Sequence, residues 1–384
     1  MPLVQDVRPR LRVPRYGRAR LYLGISAVGT FVMLSAIGLL LDLPGFVQSR
    51  VGLSSVAEQL TVLASFVAVY ALLHLPFDLF GGYLLPLRSD RAHLPASRYL
   101  VGLGRGVAVH SVLLFLNAVV LMFAGRYGGV AGTAVAGLGL AVLLLRGRLM
   151  IADLLATLKL TDAASEGQLP VYLAASPDEG FTGAIVGVFR PRYHILPAKW
   201  NNVLGPEGFA YARYRRSLAV KTGTWYRGRA IALLFTPIGL ILSAWLIGSR
   251  LGTAGGTIEL SLWFSLWSFV GLLILPTLSR RGVTEVDERA RAEGTPDEQI
   301  RSNTQLLDGL QDGEPDRPSL VESIFHPIPS VTNRLEAPRL QGVVGCWDAA
   351  RTTVYLSLAG LGLLGRAVHC NCGRPSLWAF LPVD

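Results

Sequence analysis

Six apolar stretches recur along the chain, each long enough to cross a bilayer as a helix. A spanning helix needs roughly 20 apolar residues, because each residue rises about 1.5 Å and the hydrocarbon layer is about 30 Å thick. The stretches are residues 21–41, 60–77, 106–125, 127–145, 230–249 and 260–279, and none contains Asp, Glu, Lys or Arg. A seventh stretch, residues 352–365, is too short to span, so we expect an interfacial or re-entrant helix there. The pattern predicts a polytopic α-helical membrane protein with about six transmembrane helices.

Basic residues between these stretches predict how the chain is oriented. Short loops rich in Lys and Arg stay on the cytoplasmic side of a bilayer. Residues 1–20 form a basic leader, and the segments after the second, fourth and sixth stretches are also arginine-rich. The loops between carry only Arg50, Arg126 and Arg250 as basic residues. The predicted topology therefore keeps the N-terminus and the main polar domain cytoplasmic, in what we expect to be a bacterial cytoplasmic membrane.

Composition supports the membrane class and excludes a nucleic-acid partner. The chain is 51% hydrophobic and 16% charged, whereas soluble domains are about 25% charged. Its net charge of +10 comes from cations that lie where membrane topology requires them, so basicity is no sign of nucleic-acid binding. Cys346, Cys370 and Cys372 would face a reducing compartment in this topology, so no disulfide framework is expected.

Two polar blocks remain between the apolar stretches, and we expect them to form one domain. The predicted order is leader (1–20), four-helix membrane region (21–149), first part of the domain (150–229), transmembrane hairpin (230–279), second part (280–345), and a short membrane-associated helix with a cysteine-containing tail (346–384). The runs LPVYLAAS, GFTGAIVGV and RYHILP predict strands of a small sheet. A helix is predicted from Gly205, because Pro206 suits a first turn.

The first polar block resembles a known family. The run SPDEGFTGAIVGVFRPRYHILPAKWNNVLGPEGFAYARYRR resembles integral-membrane zinc metallopeptidases of the CAAX prenyl protease and bacterial heat-shock membrane protease kind, in which an edge strand leads into an HExxH helix. SRRGVTEVDERARAEG and IFHPIPSVTNRL are similar to two later segments of that family. The resemblance covers roughly residues 171–335. It implies a cytoplasmic α+β metallopeptidase-like domain that carries the small sheet.

The chemistry of that family needs residues that this chain lacks. Two His one helical turn apart and a Glu from another helix bind zinc, and a Glu beside the first His is the general base. The resemblance places the two His at Arg215 and Ala219, the general base at Arg216, and the third ligand at Val283. A guanidinium has no lone pair to give to zinc. The resemblance therefore implies a degenerate member lacking HExxH, with no cofactor.

Three residues keep the family pattern near these positions: Asp287, His326 and Arg334. If the scaffold is retained, the helix with Arg215 must lie against the helix with Asp287. A buried guanidinium then needs a counter-charge, and we expect Asp287 or Glu285 to pair with Arg215 or Arg216.

Binding residues are expected at two places. The edge strand that the resemblance implies begins at Gly180, Phe181, Thr182 and Gly183, and such a strand can pair with a peptide or protein segment without catalysis. Basic residues near the fifth stretch, Arg213 and Arg227 among them, could bind the headgroups of membrane lipids or an acidic partner. The alternative for those cations is ordinary positive-inside topology.

Other candidate sites have simpler interpretations. Cys346, His369, Cys370 and Cys372 could offer thiolate and imidazole to zinc or copper, but the HCNC run lacks the paired spacing of a zinc finger and is typical of a reduced, packed turn. His110 and Asn117 lie seven residues apart in an apolar stretch. They could line a polar pathway or form interhelical hydrogen bonds, which is the interpretation we favour.

The sequence thus gives three hypotheses of function. The first is a catalytically inactive metallopeptidase homologue, a pseudoenzyme, that acts as a binding or regulatory membrane protein. The second is an active zinc metalloendopeptidase with unorthodox ligands drawn from His194, Glu285, Asp287 and His326. The third is a transporter or channel unrelated to peptidases, in which His110 and Asn117 line a wet cavity.

Overall fold

A computed structural model describes residues 14–51, 55–89, 91, 94–156, 158–163, 169–311, 313–336, 342 and 344–383. The helices are α1 (Pro14–Leu40), α2 (Leu43–Val51), α3 (Val56–Leu79), α4 (Leu85–Arg88), α5 (Ala96–Arg146), α6 (Arg148–Ala156), α7 (Trp200–Val203), α8 (Gly205–Lys221), α9 (Thr224–Ile247), α10 (Ala254–Ala292), α11 (Asp297–Leu310), α12 (Ser319–Phe325), α13 (Val331–Glu336), α14 (Ala349–Ala359) and α15 (Pro375–Trp378). The strands are β1 (Lys159–Ala163), β2 (Val171–Ala175), β3 (Ala184–Gly187) and β4 (Pro191–Pro197).

In the described part of the chain, five helices are long and apolar enough to cross a membrane: α1, α3, α5, α9 and α10. Short turns of π- and 3-10 helix extend α3 and α9. The sequence predicted about six, and the difference lies in α5, which holds both the third and the fourth apolar stretch. Gly129 has non-helical angles there (φ 54°, ψ −141°). A Cβ on Gly132 would collide with the carbonyl oxygen of Ala124, although eight residues of continuous helix rise about 12 Å. The chain therefore reverses at Gly129, and α5 is a helical hairpin.

The sheet has the order β1-β2-β4-β3. Strands β2 and β4 are parallel, while β1 with β2 and β3 with β4 are antiparallel. The three strands predicted from the sequence are confirmed as β2, β3 and β4. Strand β1 was not predicted from the sequence, because its run KLTDA has little apolar content. Among the described residues β3 pairs with β4 alone, so one side of β3 is an edge of the sheet.

Helix α14, from the seventh apolar stretch, is buried along its whole length. It packs against α5, α9 and α10. Polar side chains of the long helices contact its end: His110 Nε2 is 2.8 Å from the carbonyl oxygen of Leu358, and Asn117 Nδ2 donates to that of Ala359 at 3.1 Å. The interhelical hydrogen bonds predicted for His110 and Asn117 are confirmed. Their partners are backbone groups that would otherwise be unsatisfied in an apolar interior.

The irregular segment after α14, residues 360–374, also lies inside the bundle. Ser261 donates to the carbonyl oxygen of Leu361 at 2.7 Å, and Ser265 accepts from the backbone N–H of Leu363 at 2.9 Å. Near the middle of the segment, Arg366 forms a fully buried ion pair with Asp78. Asp78 also accepts from the backbone N–H of Gly373 at 2.8 Å, so it holds this segment against α3.

Candidate functional site

Helices α8 and α10 meet in the polar domain, and the predicted convergence is confirmed. Residues four apart share one face of a helix, so Arg215 and Ala219 face the same way on α8, as do Val283 and Asp287 on α10. All four side chains are buried, and Ala219 packs in one apolar cluster with Val283. The positions that the resemblance assigns to the zinc ligands therefore come together.

The expected counter-charge is also present. Arg215 donates from Nε to Oδ1 of Asp287 at 3.0 Å. Arg334, from α13, donates to both carboxylate oxygens, at 2.9 Å to Oδ2 and 3.0 Å to Oδ1. No side chain of the three is more than 4% exposed. Together they form a buried triad of one carboxylate and two guanidiniums.

Arg216, at the position that the resemblance assigns to the general base, points to the sheet. It donates hydrogen bonds to the carbonyl oxygens of Ile195 in β4 and Thr182 before β3. Its guanidinium therefore ties α8 to the start of the edge strand. A group that stays cationic cannot accept a proton from water, so Arg216 is unsuited to the work of a general base.

The residues at this site do not fit a zinc ion. Zinc is bound by thiolate, imidazole or carboxylate, and Arg215, Ala219 and Val283 offer none of these. The carboxylate of Asp287 is held between two cations. Within the described part of the chain, no group of three or more His, Cys, Asp or Glu is placed to hold a metal ion. The positions are brought together, but the donor set is wrong for zinc.

Tyr211, one turn before Arg215 on α8, is also buried. Burial is the largest cause that raises the pKa of Tyr211, to about 12, and the Asp287 carboxylate adds to it. Tyr211 therefore stays neutral over the physiological range. The place to which the resemblance assigns the metal is thus lined by a neutral phenol, a paired carboxylate and apolar side chains.

The basic residues near α9 do not form one exposed surface. Arg227, expected to bind lipid headgroups or an acidic partner, donates to both carboxylate oxygens of Glu285 at 2.7 Å and to the carbonyl oxygen of Gly345 at 2.9 Å. Glu285 was expected as a possible partner of Arg215 or Arg216, and it pairs with Arg227 because it points away from the Asp287 face. Arg213 is half-buried on α8.

The segment predicted to bind a peptide, Gly180 to Gly183, is buried. Thr182 accepts a hydrogen bond at Oγ1 from the backbone N–H of Val383, and the ring of Phe181 lies edge-on to that of Phe380, with centroids 6.4 Å apart. The edge of β3 is therefore covered by a later part of the same chain. This contact was not predicted from the sequence.

The HCNC run is part of the interior. Cys370 accepts a hydrogen bond from Arg351 at 3.0 Å, and Cys372 donates to the carbonyl oxygen of Ala367 at 3.3 Å. The ring of His369 lies 5.2 Å from that of His326. Cys346 lies elsewhere, beside α10, where its N–H donates to the carbonyl oxygen of Leu278. The candidate metal residues are thus divided between two places.

A further ion pair beside the edge strand was missed in the sequence. Arg374 donates from Nε to Oδ2 of Asp178 at 2.6 Å, while Asp178 Oδ1 accepts from the N–H of Gly180 at 2.8 Å. Burial raises the pKa of Asp178, but the charge and hydrogen bond of Arg374 outweigh it and hold that pKa below its usual value. The only signal in the sequence was an acidic residue in a turn-forming SPDEG run.

Comparison with known proteins identifies the fold. No family model and no curated protein matches this sequence. Among solved structures, the chain is similar to Ste24p of S. mikatae, with a TM-score of 0.66 and 14% sequence identity. The likeness covers 87% of this chain and 90% of the Ste24p chain. The chain has the fold of Ste24p, an integral-membrane zinc metalloprotease of the CAAX protease family.

Proposed function

We propose that this protein is a catalytically inactive relative of the integral-membrane zinc metallopeptidases and acts in the membrane by binding. The observation that carries the proposal is the buried triad of Arg215, Asp287 and Arg334. It occupies the place where the resemblance puts the metal ligands. A site that binds Zn²⁺ is built from neutral or anionic donors, and this site has a net positive charge.

The triad gives the former site a structural role. Removing one partner from a buried ion pair leaves an uncompensated charge and is strongly destabilising. The triad joins α8, α10 and α13, while Arg216 joins α8 to the sheet. These contacts support a scaffold in which the residues at the family's catalytic positions hold helices and the sheet together.

The second hypothesis, an active peptidase with unorthodox ligands, has less support. Asp287 and Glu285 are both engaged by arginines. His194 lies in β4 and His326 follows α12. The described residues give these four no common metal position.

The third hypothesis, a transporter or channel, also has less support. His110 and Asn117 are engaged with backbone carbonyls of α14. The interior of the bundle is filled by α14 and the segment after it, so neither side chain lines a wide aqueous passage.

Membrane lipids are the partners that the five long apolar helices require. A peptide or protein segment at the edge of β3 is a further proposed partner. We propose the topology derived from the arginine distribution, with the polar domain cytoplasmic.

Zinc content tests the proposal. Protein purified without chelators should contain far less than one zinc per chain by mass spectrometry and should show no chelator-sensitive cleavage of a quenched peptide. A variant with Arg215→His, Arg216→Glu, Ala219→His and Val283→Glu restores the donor set and should gain zinc. A matched control carries Gln at the same four positions and should not. Stoichiometric zinc in the wild type, lost in His326→Ala or His369→Ala, would contradict the proposal.

A further inference from the structure

The segment Ala379 to Val383 wraps around the edge of β3. Successive residues of a strand face opposite sides of a sheet, so Ala184 and Val186 lie on one face and Ile185 on the other. Phe380 and Leu381 pack in one cluster with Ala184 and Val186. Val383 packs in another cluster, with Ile185, Ala219 and Val283. The segment therefore begins on one face of the sheet and ends on the other.

The contacts that hold this segment are numerous and buried. The N–H of Val383 donates to Thr182 Oγ1 at 3.0 Å. Arg148 donates to the carbonyl oxygen of Ala379 at 2.6 Å, and its guanidinium lies 4.8 Å from the centre of the Phe380 ring. Phe380 and Leu381 are 0% exposed and Val383 is 3% exposed.

The segment covers the edge of β3 without pairing with it as a strand. A carbonyl group of β3 has a side-chain donor instead: Arg229 donates to the carbonyl oxygen of Ile185 at 3.4 Å. An unpaired sheet edge is a template for pairing with another chain. Here one stretch of the same chain occupies that position, and its last described residue, Val383, packs in the apolar cluster that also holds Ala219 and Val283.

We propose that the segment Ala379 to Val383 is an internal ligand that closes the groove between β3, α8 and α10. This inference rests on the proposed function, since it assumes that the groove acts by binding. The groove accepts an extended apolar peptide with an aromatic residue for the Phe380 position and a small aliphatic residue for the Val383 position. A separate peptide binds only to protein in which the internal segment has left the groove. The fraction of protein with an open groove therefore sets the apparent affinity for the peptide.

A labelled peptide of sequence WAFLPV, corresponding to residues 378–383, provides the probe. Its affinity for the purified full-length protein in detergent is measured by fluorescence anisotropy. Val383→Asp weakens the internal contact, because it buries a carboxylate in the cluster around Ile185. We expect the peptide to bind this variant at least about tenfold more tightly than the wild type, since the open fraction of the groove rises. Val344→Asp, at an exposed position, is the matched control and should bind like the wild type.

A covalent lock keeps the test decisive if Val383→Asp does not fold. Thr182→Cys with Val383→Cys places two thiols at positions that are hydrogen-bonded in the wild type. Oxidation should abolish peptide binding and reduction should restore it. Equal peptide affinity in the oxidised and reduced forms would overturn the proposal, as would a folded Val383→Asp protein with wild-type affinity. Zinc content is not part of this readout, so failure of this inference is distinct from failure of the proposed function.

Discussion

Arg215 donates from Nε to Oδ1 of Asp287 across 3.0 Å, and this bond joins α8 to α10 inside the polar domain. Arg334 brings a second guanidinium to the same carboxylate. All three charges are buried, so each guanidinium depends on the carboxylate for its stabilisation, and the carboxylate depends on the two guanidiniums.

Asp287→Asn should destabilise the protein by roughly 3–5 kcal/mol, because it leaves two buried guanidiniums without a counter-charge. The combined variant Arg215→Met, Asp287→Leu and Arg334→Met should recover most of that loss, since apolar residues of similar size can replace a buried ion cluster. Unfolding of the detergent-solubilised protein, followed by circular dichroism, gives the comparison.

The matched control for this prediction is Glu298→Gln, which removes an exposed carboxylate 3.9 Å from Arg301. Exposed ion pairs contribute little, so unfolding should be nearly unchanged. If Asp287→Asn were as mild as this control, the triad would have no structural role.

Gly82→Ala should destabilise the packing of the interior segment against the end of α3. A Cβ at Gly82 would collide with the carbonyl oxygen of Gly373 and with the hydroxyl of Tyr99, and neither can move far, because Tyr99 also donates to the carbonyl oxygen of Asp78 at 2.8 Å. The measurement is the midpoint of thermal unfolding, which should fall by several degrees.

Gly104→Ala is the control for Gly82→Ala. It lies in α5 with no atom within 4 Å of the added Cβ. Alanine in an open helical position is favoured over glycine by roughly 0.5–1 kcal/mol, so this variant should unfold at the same temperature as the wild type or higher. An equal decrease in both variants would show that contact with Gly373 is not the cause.

The Asp178–Arg374 pair should stabilise the protein at neutral pH and lose its effect in acid. The pKa of Asp178 lies below its usual value, so the contribution of the pair is complete above the unfolded-state pKa of about 3.9 and disappears as the pH falls through the folded-state value. The difference in unfolding midpoint between wild type and Arg374→Gln should therefore be constant from about pH 8 to pH 5 and shrink below about pH 4. A difference that grew in acid would contradict the assigned sign.

Single cysteines introduced at exposed positions test the topology. The native Cys346, Cys370 and Cys372 are buried, so their background labelling should be low. A membrane-impermeant maleimide applied to intact cells should label Arg50→Cys and leave Glu293→Cys unlabelled until the membrane is permeabilised. Labelling of Glu293→Cys in intact cells would reverse the proposed orientation.

The sequence by itself determined the membrane class and several local elements. Apolar runs free of charge predict spanning helices because the hydrocarbon layer excludes unpaired charges. Strands β2, β3 and β4 and helix α8 were also predicted, because alternating apolar residues and a Pro in a first turn are local signals. The family resemblance added the convergence of Arg215 and Asp287, which no local pattern contains.

Only the tertiary structure decided how the buried charges pair and what fills the interior. Arg366 and Asp78 are 288 residues apart in the sequence, and Val383 and Thr182 are 201 residues apart. The sequence offers several acidic residues as partners for Arg227. It pairs with Glu285 because of the face of α10 on which that carboxylate lies. A guanidinium or an apolar segment looks the same in a sequence whether it faces solvent, lipid or the chain itself. The packing of distant helices decides which group the guanidinium or the apolar segment contacts. The free-energy cost of burying a charge without a partner is larger than any local conformational preference.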